Sequence, residues 1–144
     1  MSMKVEKKKV LFLCTGNAAR SQMAEALARA DHGDAIDPVS AGSHQAEFVH
    51  HLAIAVIEEL GISMEGAYTK NAAEFVEVSF DAVVTVCDSA AQDCPVWPNA
   101  KRVEHWSIED PSWEAPDARL DRFRETRDDL RRRIDALAAS FSQT

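Results

Sequence analysis

Apolar positions along the chain follow two periods that take turns. Val10-Leu11-Phe12-Leu13 is a short unbroken apolar run behind a lysine cluster, the pattern of a strand buried on both faces. From Ser21 onward, Met23, Ala26, Leu27 and Ala30 recur at helical spacing in a segment rich in Ala, Leu and Glu. Val39 to Gly42, after Pro38, reads as a second and weaker strand. Phe48 to Leu60 predicts a helix with apolar positions 49, 52, 53, 56 and 60 and a stop at Gly61. Asp81 to Cys87 is β-branched and predicts the clearest strand, and Lys101 to Trp106 predicts a fourth. Leu120, Phe123, Leu130, Ile134, Leu137 and Phe141 then mark one face of a long C-terminal helix, interrupted only by Arg127. This alternation predicts a single-domain α/β fold, a four-stranded parallel sheet with helices on both faces. The domain is expected over 9–144, behind a polar tail at 1–8, with no repeat, linker or low-complexity tract.

Composition narrows the function classes. At 144 residues the chain is the size of one domain, and 46% hydrophobic with 28% charged residues excludes a disordered chain. Sixteen Lys and Arg against 24 Asp and Glu give −8, which argues against nucleic acid or an anionic membrane as partner. A local anion site stays open, because a few N–H groups and one Arg act against the global field. Three cysteines do not make a secreted disulfide framework. No apolar run approaches the roughly 18 residues of a membrane span, and the first nine residues lack a secretory apolar region. A cytoplasmic location and a monomer are the expectations.

Three constellations carry candidate chemistry. The first is Cys14-Thr15-Gly16-Asn17-Ala18-Ala19-Arg20-Ser21, between the first strand and the first helix. Ligands of parallel sheets bind beyond the carboxyl ends of strands, where this segment lies. Gly16 and Asn17 are the residue types that most readily take left-handed backbone angles. Inward N–H groups at a helix N-terminus make a nest for a tetrahedral oxyanion, and Arg20 adds a bidentate grip. The same field favours a thiolate nucleophile at Cys14. The bland alternative is a small buried Cys14 and a solvated Arg20.

The second constellation is Cys87 at the end of a strand and Cys94 in the polar loop beyond it. Seven residues of helix span roughly 10 Å, too far for the roughly 7 Å Cα limit of a disulfide. Pairing of these two would therefore require the loop to fold back. On residues alone, two structural cysteines are the favoured reading; the spacing is wrong for a zinc knuckle, and no metal site is expected. The third is Ser107-Ile-Glu109-Asp110-Pro111-Ser112-Trp113 after the fourth strand. A carboxylic acid there could protonate an oxygen leaving group. Asp-Pro is also an ordinary turn signal, and Glu109 competes with Asp110 for the role.

The run C-T-G-N-x-x-R-S-Q-M-A-E resembles the phosphate-binding loop (P-loop) of the low-molecular-weight tyrosine phosphatase fold, and more narrowly the arsenate reductases built on it. Further landmarks are Ser40-Ala-Gly42, Thr69, Cys87 to Pro95 and Asp110-Pro111. The resemblance implies Cys14 as nucleophile, Arg20 on the oxyanion, Ser21 beside the thiolate, Asn17 holding the loop and Asp110 as general acid. It implies that Thr15 to Ser21 bind substrate. It also implies a Cys14/Cys87/Cys94 thiol relay, since thioredoxin-coupled arsenate reductases carry a cysteine pair with this spacing. The expected substrate is arsenate, with phosphate or sulfate competing; the expected electron donor is thioredoxin, with no bound cofactor. Tyrosine phosphatases of this fold place tyrosines after the Asp-Pro; here Ser112-Trp113 follow, and the one tyrosine is Tyr68.

Some relatives bind potassium beside the loop. Asn17, Glu25, Ser40 and Thr69 match that site, but Asn71 stands where an acid is expected. His50-His51 and His105 carry no expected role; Arg131 to Arg133 are expected to pair within their helix, and Lys7 to Lys9 to be a solvated tail. The rivals are a low-molecular-weight phosphatase or phosphomonoesterase using Cys14, Arg20 and Asp110, and a non-catalytic oxyanion-binding module.

Overall fold

In this computed structural model, which describes residues 6–87, 97 and 100–142, β1 (Lys8–Cys14) lies at the heart of one parallel sheet. β2 (Ile36–Gly42) flanks it on one side, β3 (Ala82–Cys87) on the other, and β4 (Val103–Ser107) lies beyond β3, giving the order β2-β1-β3-β4. The inside position explains the continuous apolar run, since Val10 to Leu13 are fully buried between both neighbours. The chain leaves β1 to one side and later returns on the other. That reversal opens a crevice at the carboxyl ends of the strands, where ligands of such sheets bind.

Helices α1 (Arg20–His32), α2 (His51–Glu58) and α3 (Arg119–Phe141) pack on one sheet face. Met23, Leu27, Val56, Ile57, Phe123, Leu130 and Ile134 meet Val10, Phe12, Val84 and Trp106 there. On the opposite face Leu11, Leu13, Phe80, Val83 and Trp97 form a second cluster, covered by a short 3-10 helix, Ala72–Phe75. Among the described residues, no helix is long and apolar enough to cross a membrane.

Several local expectations are corrected. Ala30 is exposed, and Ala24 and Ala28 face the core in its place. α2 starts three residues later than its apolar pattern, leaving Phe48 77% exposed. The cause is His50, whose imidazole accepts the Leu52 N–H at 3.1 Å and caps the helix there. Lys8 and Lys9 are not tail but the start of β1, where Lys9 N–H donates to the Asp81 carboxylate at 2.9 Å. Arg131 leaves its own helix for a two-pronged bond to Asp31 of α1 at 2.7 and 2.8 Å, whereas Arg132 and Arg133 pair with Asp129 as expected. Arg127, the break in the apolar stripe of α3, is buried and donates to the Val56 carbonyl at 2.9 Å and Glu59 at 2.8 Å. It satisfies the end of α2 from within the core.

Candidate active site

β1 ends at Cys14 and α1 begins at Arg20, so Thr15 to Ala19 form the turn between them. Of the two residues expected to take left-handed angles, Asn17 does so, at φ +52°, and Gly16 does not. Ala19 offers no side-chain cap, which leaves the first amides of α1 available to an anion. The turn is held from outside by its carbonyls. Cys14 O accepts from Ser43 N–H (3.3 Å), Thr15 O from His44 (2.8 Å), Gly16 O from Ala46 (2.8 Å) and Ala18 O from His50 (2.8 Å). The Gln22 side-chain amide takes the remaining carbonyl, Asn17 O, at 3.1 Å. With every carbonyl from Cys14 to Ala18 engaged outward, the peptide N–H groups are turned to the inner side, which makes a nest for a tetrahedral anion.

The Cys14 sulfur lies at the base of this nest, 2% exposed and free. Asn17 N–H donates to it at 3.0 Å. Asn17 Nδ2 donates to Ser21 Oγ at 2.8 Å, which leaves the serine hydroxyl hydrogen for Cys14 Sγ, also 2.8 Å away. Asn17 is fixed in that orientation because its Oδ1 accepts from Gln22 Nε2 (3.0 Å) and from Lys70 N–H (2.8 Å). Two oriented donors thus converge on one sulfur.

Arg20 closes the site from the β4 side. One guanidinium nitrogen donates to Ile108 O at 2.7 Å, and another lies 3.8 Å from Asp110 Oδ2. Asp110 is itself held, its Oδ1 accepting Ser112 N–H (2.9 Å) and Oγ (2.7 Å) at the start of the 3-10 helix Pro111–Trp113. The carboxylate beside Arg20 is thus that of Asp110, while Glu109 is exposed to solvent. β3 is the parallel neighbour of β1 with Leu13 opposite Thr85, so Cys87 ends one residue beyond the level of Cys14. A strand spacing of about 4.8 Å and a rise of about 3.3 Å put the two Cα atoms roughly 6 Å apart. Cys87 is disulfide-bonded, and Cys94 lies outside the described residues.

Four features of the site have roles that the sequence alone does not assign. Gln22, present in the motif without an assigned role, is 2% exposed and bonded to both Asn17 oxygens and to Tyr68 O. Residues 43–50 form the outer wall of the turn. Gly42 permits the wall's close approach, since a Cβ on it would stand 2.6 Å from Thr15 O. His50 joins the wall to α2, with its ring stacked 4.7 Å from that of His51 and 4.8 Å from Phe123.

Burial, helped by His51 and Arg119 and opposed by Asp110, holds the His50 imidazole below its ordinary value of 6.5. The unfolded chain therefore takes up this proton first as pH falls. Stability from this group is intact above about 6.5 and is lost as pH drops from there towards the lowered folded value. The melting temperature of His50→Asn, which keeps a capping side chain, is expected to fall less steeply over that window than the wild type's. Equal slopes would remove His50 as the cause.

The residues matching a potassium site do not fit a metal ion. Both Asn17 and Asn71 have Oδ1 engaged by backbone N–H groups, and the Thr69 hydroxyl donates to Ala46 O at 2.7 Å. Glu25 already faces two cations, Arg29 at 2.9 Å and Lys70 at 3.5 Å.

Comparison with known proteins agrees with this geometry. The chain matches the low molecular weight phosphotyrosine protein phosphatase family over residues 9–144. It is 35% identical to an arsenate reductase of Halalkalibacterium halodurans, over 93% of this chain and 97% of that protein. It is 33% identical to a glutaredoxin arsenate reductase of Synechocystis sp., over 94% and 99%. An arsenate reductase solved in a phosphate-binding state superposes with a TM-score of 0.77 at 32% identity, covering 92% of this chain and 98% of that one. A thioredoxin-dependent arsenate reductase of Corynebacterium glutamicum gives 0.74 at 28% identity, covering 98% of this chain and 65% of that one. By loop, fold and extent of similarity, this chain belongs to the low molecular weight phosphotyrosine protein phosphatase family, in its arsenate reductase branch.

Proposed function

We propose that the protein reduces arsenate to arsenite through Cys14, Cys87 and Cys94, with thioredoxin as electron donor in the cytoplasm. The observation that carries the reading is the Cys14 sulfur, held by Asn17 N–H and the Ser21 hydroxyl at the base of the oxyanion nest. Arsenate lies in the nest made by Thr15 to Ser21, gripped by Arg20. Cys14 attacks arsenic, and Asp110 donates a proton so that one oxygen leaves as water. Cys87 then attacks the Cys14 sulfur. The electron pair of the S–As bond passes to arsenic, which leaves as arsenite, and the two sulfurs join as a disulfide. Cys94 attacks Cys87, freeing Cys14, and thioredoxin reduces the resulting Cys87–Cys94 pair.

A disulfide-bonded Cys87 beside a free Cys14 is the state expected at the end of this sequence. The similarity to the thioredoxin-dependent reductase supports the donor. Strand alternation adds a requirement. Phe12 belongs to the helical face and Val83 to the opposite one, so by parity Cys14 and Cys87 start from different faces. The end of β3 must rearrange for the second step.

The test is arsenate-dependent NADPH oxidation with thioredoxin and thioredoxin reductase. Wild type should turn over repeatedly, and Cys87→Ser and Cys94→Ser should each lose multiple turnover. Full turnover by Cys94→Ser would remove the last step. Phosphate-ester hydrolysis that survives both substitutions, with no NADPH oxidation, would make the protein a phosphatase. Turnover with glutaredoxin and glutathione alone would replace the donor.

A further inference from the structure

We propose that the Lys70 ammonium is a built-in cation behind the oxyanion loop, so that the loop is held without a monovalent metal ion. Lys70 is 6% exposed and tied to the site four ways. Its N–H donates to Asn17 Oδ1 at 2.8 Å, and its carbonyl accepts from Gly42 N–H at 2.9 Å. Its ammonium donates to Tyr68 O at 3.0 Å and lies 3.5 Å from Glu25 Oε1. The charge also lies 4.5 Å from the centre of the Tyr68 ring, a face that attracts cations.

The position of this ammonium bears on the sulfur through few steps. Tyr68 O is shared by Lys70 and by Gln22, and both residues hold Asn17 Oδ1. Asn17 in turn donates to Cys14 Sγ and to Ser21 Oγ. The Glu25 carboxylate accepts the Ser40 hydroxyl at 2.8 Å and meets Arg29 and Lys70, so it anchors α1, β2 and residue 70 together. A third positive charge would be repelled by the two already there. Glu25 and Lys70 both line an open cleft of about 410 Å³ together with Gln22, Arg29 and Tyr68, so removal of the lysine side chain would leave the carboxylate facing that cleft. That gives a solvated ion a way in. Lys70 is thus a positioning residue for the loop, whatever reaction the loop serves.

The experiment measures thermal midpoint and inorganic phosphate affinity in potassium chloride and in choline chloride at equal ionic strength, so that screening is matched. Wild type should give the same values in both salts. Lys70→Ala should melt lower and bind phosphate roughly tenfold more weakly, and potassium should recover part of both losses where choline does not. The double variant Lys70→Ala/Glu25→Gln should show no potassium response. A wild-type protein that gains stability or phosphate affinity from potassium overturns the proposal. So does a Lys70→Ala variant that matches wild type, or one whose losses potassium leaves untouched. If Lys70→Ala fails to fold in choline, folding in potassium reads the same question. Because phosphate binding is the readout, failure here leaves the arsenate reading intact.

Discussion

Cys14→Ser is expected to lower arsenate-dependent NADPH oxidation by roughly 10⁴-fold or more, while phosphate affinity stays within a few-fold of wild type. The sulfur is the atom on which Asn17 N–H and the Ser21 hydroxyl converge. A serine oxygen can accept the same two hydrogen bonds, so the turn has no reason to collapse. Its hydroxyl, however, holds its proton at neutral pH and is a poor nucleophile without a neighbouring base. It also cannot form the sulfur–sulfur bond by which, in the proposed relay, electrons reach arsenic. Steady-state kinetics beside phosphate titration separates the two effects. Substantial residual turnover would place the nucleophile elsewhere, and loss of phosphate binding would show that the sulfur helps to shape the nest.

Gly42→Ala carries the second large expected effect. A Cβ there would stand 2.6 Å from Thr15 O, 2.9 Å from Asn17 N and 3.0 Å from the Gly16 carbonyl carbon, all backbone atoms of the loop. No side chain can swing away to relieve the contact. Overpacking of this kind costs about 1–3 kcal/mol, and a loop displaced by about 1 Å costs about 100-fold in rate. The variant should therefore lose both melting temperature and kcat/KM for arsenate. Gly61→Ala is the comparison. Gly61 lies at φ +78° with nothing within 4 Å, so it should lose stability through backbone strain alone and keep its activity. Similar kinetics in the two variants would mean that the wall at 43–50 does not shape the site.

The parts of this architecture legible in the sequence are those whose signals are local. Val10 to Leu13 announce an inside strand because burial on both faces removes alternation, and β1 is flanked on both sides. The turn Cys14 to Ser21 is readable because strand, tight turn and helix follow within a few residues. Gly42 and Lys70 are different. Their importance comes from atoms 25 and 53 residues away in the chain, Asn17 N for one and Asn17 Oδ1 for the other. Periodicity reports which side of an element is buried, and not which distant carbonyl an N–H will meet. Phe48 misled for a related reason. It fits the apolar spacing of a helix, but the cap at His50 starts α2 later. Arg127 shows the same limit from the other direction, a charge in an apolar stripe that is satisfied by the Val56 carbonyl and Glu59 of another segment.

The outward anchoring of all five loop carbonyls has a consequence for selectivity. A pocket made of peptide N–H groups and one guanidinium recognises tetrahedral shape and negative charge, and arsenate shares both with phosphate. Such a pocket has little means of telling them apart on arrival. Discrimination falls instead to the bond broken next. Arsenic accepts an electron pair and departs in a lower oxidation state, whereas phosphorus under the same thiol keeps its own and can leave only by hydrolysis. Abundant phosphate would then delay the enzyme without consuming reducing equivalents, and the thiols would be spent only on arsenate.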